Sequence, residues 1–595
     1  MRLSRIKVSN FRNFANLDVP VFGNIVLLGE NRVGKSNLLH ALRLVLDPSL
    51  PDSARQLTLS DFWDGLARPT ADDKIVVAIE IKNFEDDLDI LASLTDYRLD
   101  GDPHTVRLSY EFRTRAELEG QPKAEDDYIF VCYGGESDTK RFGYDLRRRI
   151  SLDFLHALRD AEGDLGAWRR SPIRPLLDKA FGGVALDDLE AITEAISDAT
   201  AKIAEFDDVR VLEESIGDLF AEMSGPRQDI KPRLGFSPIE ASRLYRNLRL
   251  LIDNGERAIS DASLGSANLV FLTLKTLELR QLIDDGNRDH TLLAIEEPEA
   301  HLHPHLQRSV YRHLFEGLQG GGDPVLSIVL TTHSPHIASV APLRSLVLLR
   351  DTTDGGSIGW STAAIGLSPE EEEDLARYLD VTRAEILFSR GVILVEGDAE
   401  RFLMPVFAES KGVTLDHLGI SVCSVGGTHF GTYAKFLTAL EIPYAVLTDW
   451  DPEDDGALGL QRARSLVRTI ETTRSGEVAE AIENLLAGDD EVRIRELAEE
   501  RGVFQNRHTL EIDLFRGGFS GPIIATLREA GFGAQRMARI GEWEQDPDAV
   551  NPNELLELIG TVGKGRFAQR LARLIVGQDP PRYVSKAIEF VANRV

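Results

Sequence analysis

The octapeptide Gly29-Glu30-Asn31-Arg32-Val33-Gly34-Lys35-Ser36 constrains this chain more than any other feature. It has the spacing GxxxxGK[ST], follows the apolar run Ile25-Val26-Leu27-Leu28 and precedes Asn37-Leu38-Leu39-His40-Ala41-Leu42. An apolar strand, a glycine-rich turn and an apolar helix commit the N-terminal region to an α/β fold. In such a fold, backbone N–H groups converge on phosphate oxygens at a helix N-terminus. Asn31, Gly34, Lys35 and Ser36 are therefore expected to bind ATP, with Lys35 neutralising the β- and γ-phosphates and Ser36 ligating Mg²⁺.

The other half of such a site needs a carboxylate at the end of a buried strand. Thr291-Leu292-Leu293-Ala294-Ile295-Glu296-Glu297 ends in two. Glu296 is expected to hold the nucleotide's Mg²⁺ and Glu297 to orient or activate the attacking water; the alternative is a strand leaving the core with solvated charges. Ser327-Ile328-Val329-Leu330-Thr331-Thr332-His333-Ser334 ends in His333, where ABC-type ATPases carry a γ-phosphate sensor. Ser263-Leu264-Gly265-Ser266-Ala267-Asn268 is the candidate signature loop. Through Ser263 and Gly265 it would complete a partner subunit's ATP site, although it keeps one glycine of the usual pair. Gln56 is the candidate for the glutamine loop.

A second constellation follows. Gly391-Val392-Ile393-Leu394-Val395-Glu396-Gly397-Asp398-Ala399-Glu400 reads as strand, turn and helix start, and Tyr444-Ala445-Val446-Leu447-Thr448-Asp449-Trp450-Asp451 as another buried strand. Glu400 lies one helical turn beyond Glu396. Strand alternation predicts that Asp449 and Asp451 point the same way. Convergence of Glu396, Glu400, Asp449 and Asp451 makes a hard, oxygen-rich site suited to Mg²⁺ or Mn²⁺.

The 595 residues exceed one hydrophobic core, and 43% hydrophobic with 28% charged content suits several folded domains. Two cysteines, Cys132 and Cys423, exclude a disulfide scaffold and a thiolate zinc site. No signal peptide and no run of roughly 18 apolar residues is present, so a cytoplasmic location with no membrane partner is expected. A net charge of −30 argues against non-specific coating of nucleic acid. Arg147-Arg148-Arg149 and the segment with Lys564, Arg566, Arg570 and Arg573 are local basic stretches, or simply solvated helix faces. Residues from about 151 to 232 read as almost wholly helical. Leu186, Leu189, Ile192, Ile196, Ala199, Ile203 and Phe206 form one apolar stripe, fitting either a core-facing or a dimerisation helix. Strand patterns return near 248 and persist to about 350.

These motifs carry a resemblance. Val8-Ser9-Asn10-Phe11-Arg12-Asn13-Phe14 resembles the opening of RecF- and SMC-type ATPases. Glu296-Glu297-Pro298-Glu299-Ala300-His301-Leu302-His303-Pro304 and Thr332-His333-Ser334-Pro335 resemble the OLD (overcoming lysogenisation defect) family, as does Phe154-Leu155-His156-Ala157-Leu158-Arg159-Asp160. Strand-Glu-Gly followed by strand-Asp-x-Asp is similar to the Toprim domain. Glu511 in His508-Thr509-Leu510-Glu511-Ile512-Asp513-Leu514 and Lys564 in Gly563-Lys564-Gly565-Arg566 resemble the C-terminal OLD motifs. There such a Glu ligates metal and such a Lys assists transition-state charge; Asp513 is a further candidate ligand.

The resemblance implies an α/β chain with an ABC-type ATPase split into 1–150 and 233–365, a helical dimerisation insertion at 151–232, a linker at 366–390 and a Toprim nuclease domain at 391–595. It further implies an ATP-binding, metal-dependent DNA endonuclease acting in phage defence or DNA repair. Such a protein forms a homodimer or larger homo-oligomer through its ATPase region, and likeness to the nuclease subunit of Gabija-type systems adds a helicase partner. The alternative is a RecF- or SMC-like DNA-binding ATPase whose Toprim domain recognises DNA without cutting.

Overall fold

The computed structural model describes all residues except 119, 157–159, 168–170, 203–205, 225–247, 249, 253–255, 318–325, 353–354, 452–457 and 489. It divides into two units: Met1–Leu155 with Leu292–Glu299 and Pro304–Val595, and His156–Thr291 with Ala300–His303.

The N-terminal strands are β1 (Arg2–Phe11), β2 (Phe14–Pro20), β3 (Ile25–Leu28), β4 (Ile75–Lys82), β5 (Val106–Thr114), β6 (Tyr128–Gly134) and β7 (Ile150–Leu155). The chain continues with β8 (Leu251–Ile252), β9 (Arg257–Ala258), β10 (His290–Glu296), β11 (Leu326–Thr331), β12 (Leu346–Thr352) and β13 (Gly356–Ser361). All but β8 and β9 join one sheet in the order β6-β5-β4-β1-β2-β13-β12-β3-β11-β10-β7. Strand β3 lies parallel to both β11 and β12 and is buried along its whole length. That double-sided burial explains its uninterrupted apolar sequence. The antiparallel β1 instead buries Leu3, Ile6, Val8 and Phe11, with a register shift between Leu3 and Arg5 that resets its alternation. Helix Lys35–Leu46 buries Leu38, Leu39, Leu42 and Val45 in this core, each worth roughly 1.5–3 kcal/mol.

The C-terminal part of the same unit has four parallel strands: β14 (Gly391–Val395), β15 (Ile420–Ser424), β16 (Tyr444–Thr448) and β17 (Val503–Gln505), ordered β15-β14-β16-β17. Helices Asp398–Ser410 and Arg582–Ala592 pack on them through Leu403, Phe407, Val584 and Ile588. Two arginines tie this part to the ATPase sheet. Arg390 pairs with Glu30 of the phosphate loop (2.7 Å), and Arg350 donates to the carbonyls of Ser389 (2.9 Å) and Glu441 (3.2 Å). The acidic connector forms helix Pro369–Tyr378, capped by Ser368.

Three local expectations need correction. The first residues read as helical form β7, whose Ser151 and Leu152 are fully buried in the sheet. The region from 248 holds two-residue strands and then the 21-residue helix Leu264–Asp284, because Ala267, Phe271 and Leu274 recur at helical spacing. The apolar stripe is also not continuous. Helix Leu186–Ala201 ends before Asp207–Ser224 begins, and Ile192 and Phe206 are exposed while Leu189 is buried. Ile203, Ala157–Arg159 and 225–232 lie outside the described residues. Among the described residues, no helix is long and apolar enough to cross a membrane.

Candidate active site

The phosphate loop is fixed by backbone that few residues tolerate. Gly34 has φ 89°, and a Cβ there would lie 2.9 Å from the Phe14 ring, so glycine is required on both counts. Lys35, the next residue, is buried and donates from Nζ to the carbonyls of Gly29 (2.9 Å) and Glu30 (2.7 Å). Burial pulls its pKa down to about 8, against the opposing pull of Glu297, Glu299 and Glu30. Ser36 donates its hydroxyl to the Glu296 carboxylate, joining loop and β10. Glu297 has φ 41° and donates its N–H to the Thr331 carbonyl (3.1 Å). This brings its carboxylate 4.0 Å from His333 Nε2, whose pKa is lowered by burial and by Lys35. Asn31, Gly34, Lys35, Ser36, Glu297 and His333 all line one cavity of about 600 Å³.

The cavity also takes residues from outside the phosphate loop and the strand ends, two of them from the opening segment 8–14. The tip of the β1–β2 hairpin presents Arg12 and Asn13 to it. Arg12 binds Asp61 (2.9 Å) and Asn37 (2.8 Å), while Asn13 donates to the Arg32 carbonyl (3.1 Å). Glu299 accepts from the His333 N–H (2.7 Å) and the Thr332 hydroxyl (2.9 Å), so it sets the histidine's position. Gln56 does not line the cavity; it donates to the Tyr128 carbonyl (3.1 Å). Ser263 and Gly265 belong to the second unit. The Ser263 hydroxyl caps helix Leu264–Asp284 by accepting from Ser266 N–H (3.2 Å), and a Cβ on Gly265 would lie 2.5 Å from the His301 carbonyl oxygen.

The carboxylates of the C-terminal part stand at the carboxyl ends of β14 and β16, where ligands of parallel sheets bind. Glu396 accepts from the Thr448 hydroxyl (2.6 Å) and the Asp449 N–H (2.9 Å). Glu400 accepts from the Gly397 N–H (3.2 Å) in the first turn of its helix. Burial pushes Glu400 up to about 7, with Glu511 and Glu396 adding to it, and pushes Asp449 up to about 8, with Glu396 and Glu400 adding to it. Asp449 accepts from the Asn506 side chain and the Leu510 N–H (3.1 Å). Glu511 is buried beside Lys564 (3.2 Å), and its Oε2 has no hydrogen-bond partner.

Asp451 departs from the strand alternation expected of it. Strand β16 ends at Thr448, Asp451 has φ 45°, and its carboxylate pairs with Arg462 (2.7 Å). Arg462 also reaches the Asp449 carbonyl (3.1 Å) and Glu396 (3.4 Å), so one guanidinium joins three expected site residues. Asp513 accepts from the Arg507 N–H (2.6 Å) and thereby shapes the loop. Glu400, Asp449, Asn506 and Tyr583 share a narrow cleft.

The oxygen donors suit a hard divalent cation. The orphaned Glu511 oxygen and the raised carboxyls of Glu400 and Asp449 point the same way. Among the described residues, no three His, Cys, Asp or Glu side chains close on one point, so the donor set is right in chemistry but not closed around a centre. Packing beneath it is tight. A Cβ on Gly459 would lie 2.7 Å from the Trp450 backbone. Gly459→Ala is therefore expected to destabilise this part by about 1–3 kcal/mol; an unchanged melting curve would refute the contact.

Comparison with known proteins agrees with this architecture. A profile described as Overcoming lysogenization defect protein-like, TOPRIM domain, matches residues 387–451, an AAA ATPase domain profile matches 175–338, and a protein family of unknown function matches 1–90. The chain is 26% identical over 474 residues to the OLD nuclease of Thermus scotoductus, spanning 76% of this chain and 83% of that protein. It is 21% identical over 476 residues to Endonuclease GajA of Bacillus cereus, spanning 76% of this chain and 75% of that protein. The solved C-terminal region of the Burkholderia pseudomallei OLD protein is 41% identical, with 98% of it covered by 35% of this chain and a TM-score of 0.31. The chain belongs to the OLD family, with an AAA ATPase domain followed by an OLD-like TOPRIM domain.

Proposed function

We propose that the protein is an ATP-binding, metal-dependent DNA endonuclease that hydrolyses phosphodiester bonds at the TOPRIM carboxylates. The observation that carries this reading is the buried Glu511, paired with Lys564 and electrostatically coupled to Glu400 and Asp449. Glu396, Glu400, Asp449, Asp451 and Glu511 are the residues to hold Mg²⁺ or Mn²⁺. Two such ions, when bound, supply an activated water and charge stabilisation at the leaving oxygen. Lys564 brings a permanent cation. Burial alone would pull its pKa down, but Glu511, then Asp449 and Glu400, leave it raised. In the ATPase, Lys35 and Ser36 hold the phosphates and their Mg²⁺ with Glu296, Glu297 orients water, and His333 senses the γ-phosphate. Ser263 and Gly265 complete the site of a partner subunit.

Supercoiled plasmid incubated with Mg²⁺ or Mn²⁺ and with EDTA tests the reading. Metal-dependent nicking or linearisation supports it. DNA binding without cleavage under every condition favours the alternative of a RecF- or SMC-like clamp. Arg462→Gln is expected to lower cleavage about 10–100-fold, the usual effect of losing a residue that orients metal ligands; full activity would show that Arg462 positions nothing.

The Glu30–Arg390 ion pair favours a second element, nucleotide control of cutting. Glu30 belongs to the phosphate loop and Arg390 immediately precedes β14, the strand that delivers Glu396. Glu30→Gln is expected to reduce the difference between cleavage with and without ATP while sparing ATP binding. An unchanged ATP response would remove this pair from the control.

Family likeness also supports a role in phage defence or DNA repair and a helicase partner, testable by phage challenge of cells with and without the gene. Helix Asp207–Ser224 leaves Val211, Leu212, Leu219 and Met223 more than half exposed, which supports homo-oligomerisation through the helical insertion. Sedimentation as a monomer at micromolar concentration would refute that.

A further inference from the structure

Helix Lys35–Leu46 starts at the phosphate loop, and a second cavity, of about 440 Å³, lies beyond its other end, roughly 18 Å away at 1.5 Å per residue. Its lining includes Arg55, Arg141, Arg147, Asp52, Phe142 and Tyr144. Arg55 and Arg147 are only 3% and 5% exposed. Both are anchored by carbonyls at the helix end. Arg55 donates to Leu44 (3.2 Å), Leu50 and Asp47, and Arg147 Nε donates to Val45 (3.0 Å). The Arg147 guanidinium lies 5.2 Å from the centroid of the Phe142 ring and, among the described residues, pairs with no carboxylate. The basic run containing Arg147 is thus not one solvated face.

Three guanidiniums therefore face a concavity whose lining holds one carboxylate, Asp52, 80% exposed and 3.3 Å from Arg55. Arg141 is exposed and forms no ion pair among the described residues; its acidic neighbour Asp138 is engaged by Arg113 (2.6 Å). Asp52 and the buried Asp47 offset the charge of Arg55. Arg147, by contrast, is oriented by the Val45 carbonyl dipole without being neutralised, and a buried guanidinium beside two further ones calls for a counter-anion. Such a concentration of cations in a chain of net charge −30 needs a cause. Guanidinium forks match the oxygens of phosphate in paired hydrogen bonds. A terminal phosphate can enter a concavity, whereas the phosphodiesters of a duplex stay on its convex surface.

We propose that this cavity is a second anion site of the ATPase domain, one that takes the terminal phosphoryl group of a phosphomonoester. Its charge is compensated when that group is bound, and the helix it caps leads directly to the phosphate loop. The proposal is independent of the nuclease reading.

The test is calorimetric titration of full-length Lys35→Ala protein, in which the phosphate loop is disabled. The probes are inorganic phosphate, AMP, a 5′-phosphorylated oligonucleotide and its 5′-hydroxyl counterpart. One equivalent of a phosphomonoester is expected to bind, with affinity falling at least about tenfold on Arg141→Ser, since a charge-assisted hydrogen bond is lost. Arg147→Gln is expected to weaken it further. Arg141 is exposed, so its variant keeps the fold if Arg147→Gln does not. Binding of phosphate and AMP identifies a small-molecule source, and binding of the phosphorylated oligonucleotide alone identifies a nucleic-acid end. No binding by any phosphomonoester at millimolar concentration, equal binding of the 5′-hydroxyl oligonucleotide, or unchanged affinity in folded Arg141→Ser protein overturns the proposal.

Discussion

Asp449→Asn protein is expected to lose at least about a thousandfold in metal-dependent DNA cleavage while remaining as stable as the parent, or more so. Both outcomes have one physical origin. Asp449 is a buried carboxylate whose charge is opposed first by desolvation and then by Glu396 and Glu400, so the metal-free fold gains nothing from that charge. Asparagine keeps the shape and can still accept from Asn506 and the Leu510 N–H. A ligand in a hard-cation site, however, needs its full negative charge, and the loss of one moves both the position and the occupancy of the ions. Plasmid cleavage and thermal melting of the same preparation separate the two effects. Loss of activity with loss of stability would instead make Asp449 a structural residue.

Lys35→Ala is expected to reduce ATP turnover at least about a hundredfold, with a large loss of nucleotide affinity. The lysine is buried and rests on the Gly29 and Glu30 carbonyls, which arrange the loop without neutralising its ammonium group. A terminal polyphosphate supplies the missing charge, and electrostatic stabilisation of the transferring group is the main work of such a site. Steady-state hydrolysis and equilibrium binding of a non-hydrolysable analogue check this. Undiminished turnover would mean that the cavity at Gly34 is not the hydrolytic site.

Much of this was legible in the sequence, for a local reason. The phosphate loop, the strand ends at Glu296 and Glu396, and the Glu396-to-Glu400 turn each lie within one continuous strand–turn–helix segment, where spacing dictates geometry. Asp451 shows the limit. Alternation holds only while the strand lasts, and β16 stops at Thr448. Arg462, Asn506 and Tyr583 were not foreseen because folding brings them to the carboxylates from separate elements, with no spacing that links them beforehand. Asp61 reaches the cavity at Gly34 in the same way, paired with Arg12 of the opening motif 49 residues before it. Gln56 and Arg147 show the converse error, since residue type suggested a site or a solvated face that packing did not provide.

The most direct test of the account is cleavage of supercoiled plasmid by the purified protein with Mg²⁺ or Mn²⁺, beside Glu400→Ala protein and an EDTA control. Nicking or linearisation that needs the metal and disappears in the variant is the expected result. Cleavage that survives EDTA, or that persists undiminished in folded Glu400→Ala protein, would contradict the assignment of the reaction to the TOPRIM carboxylates.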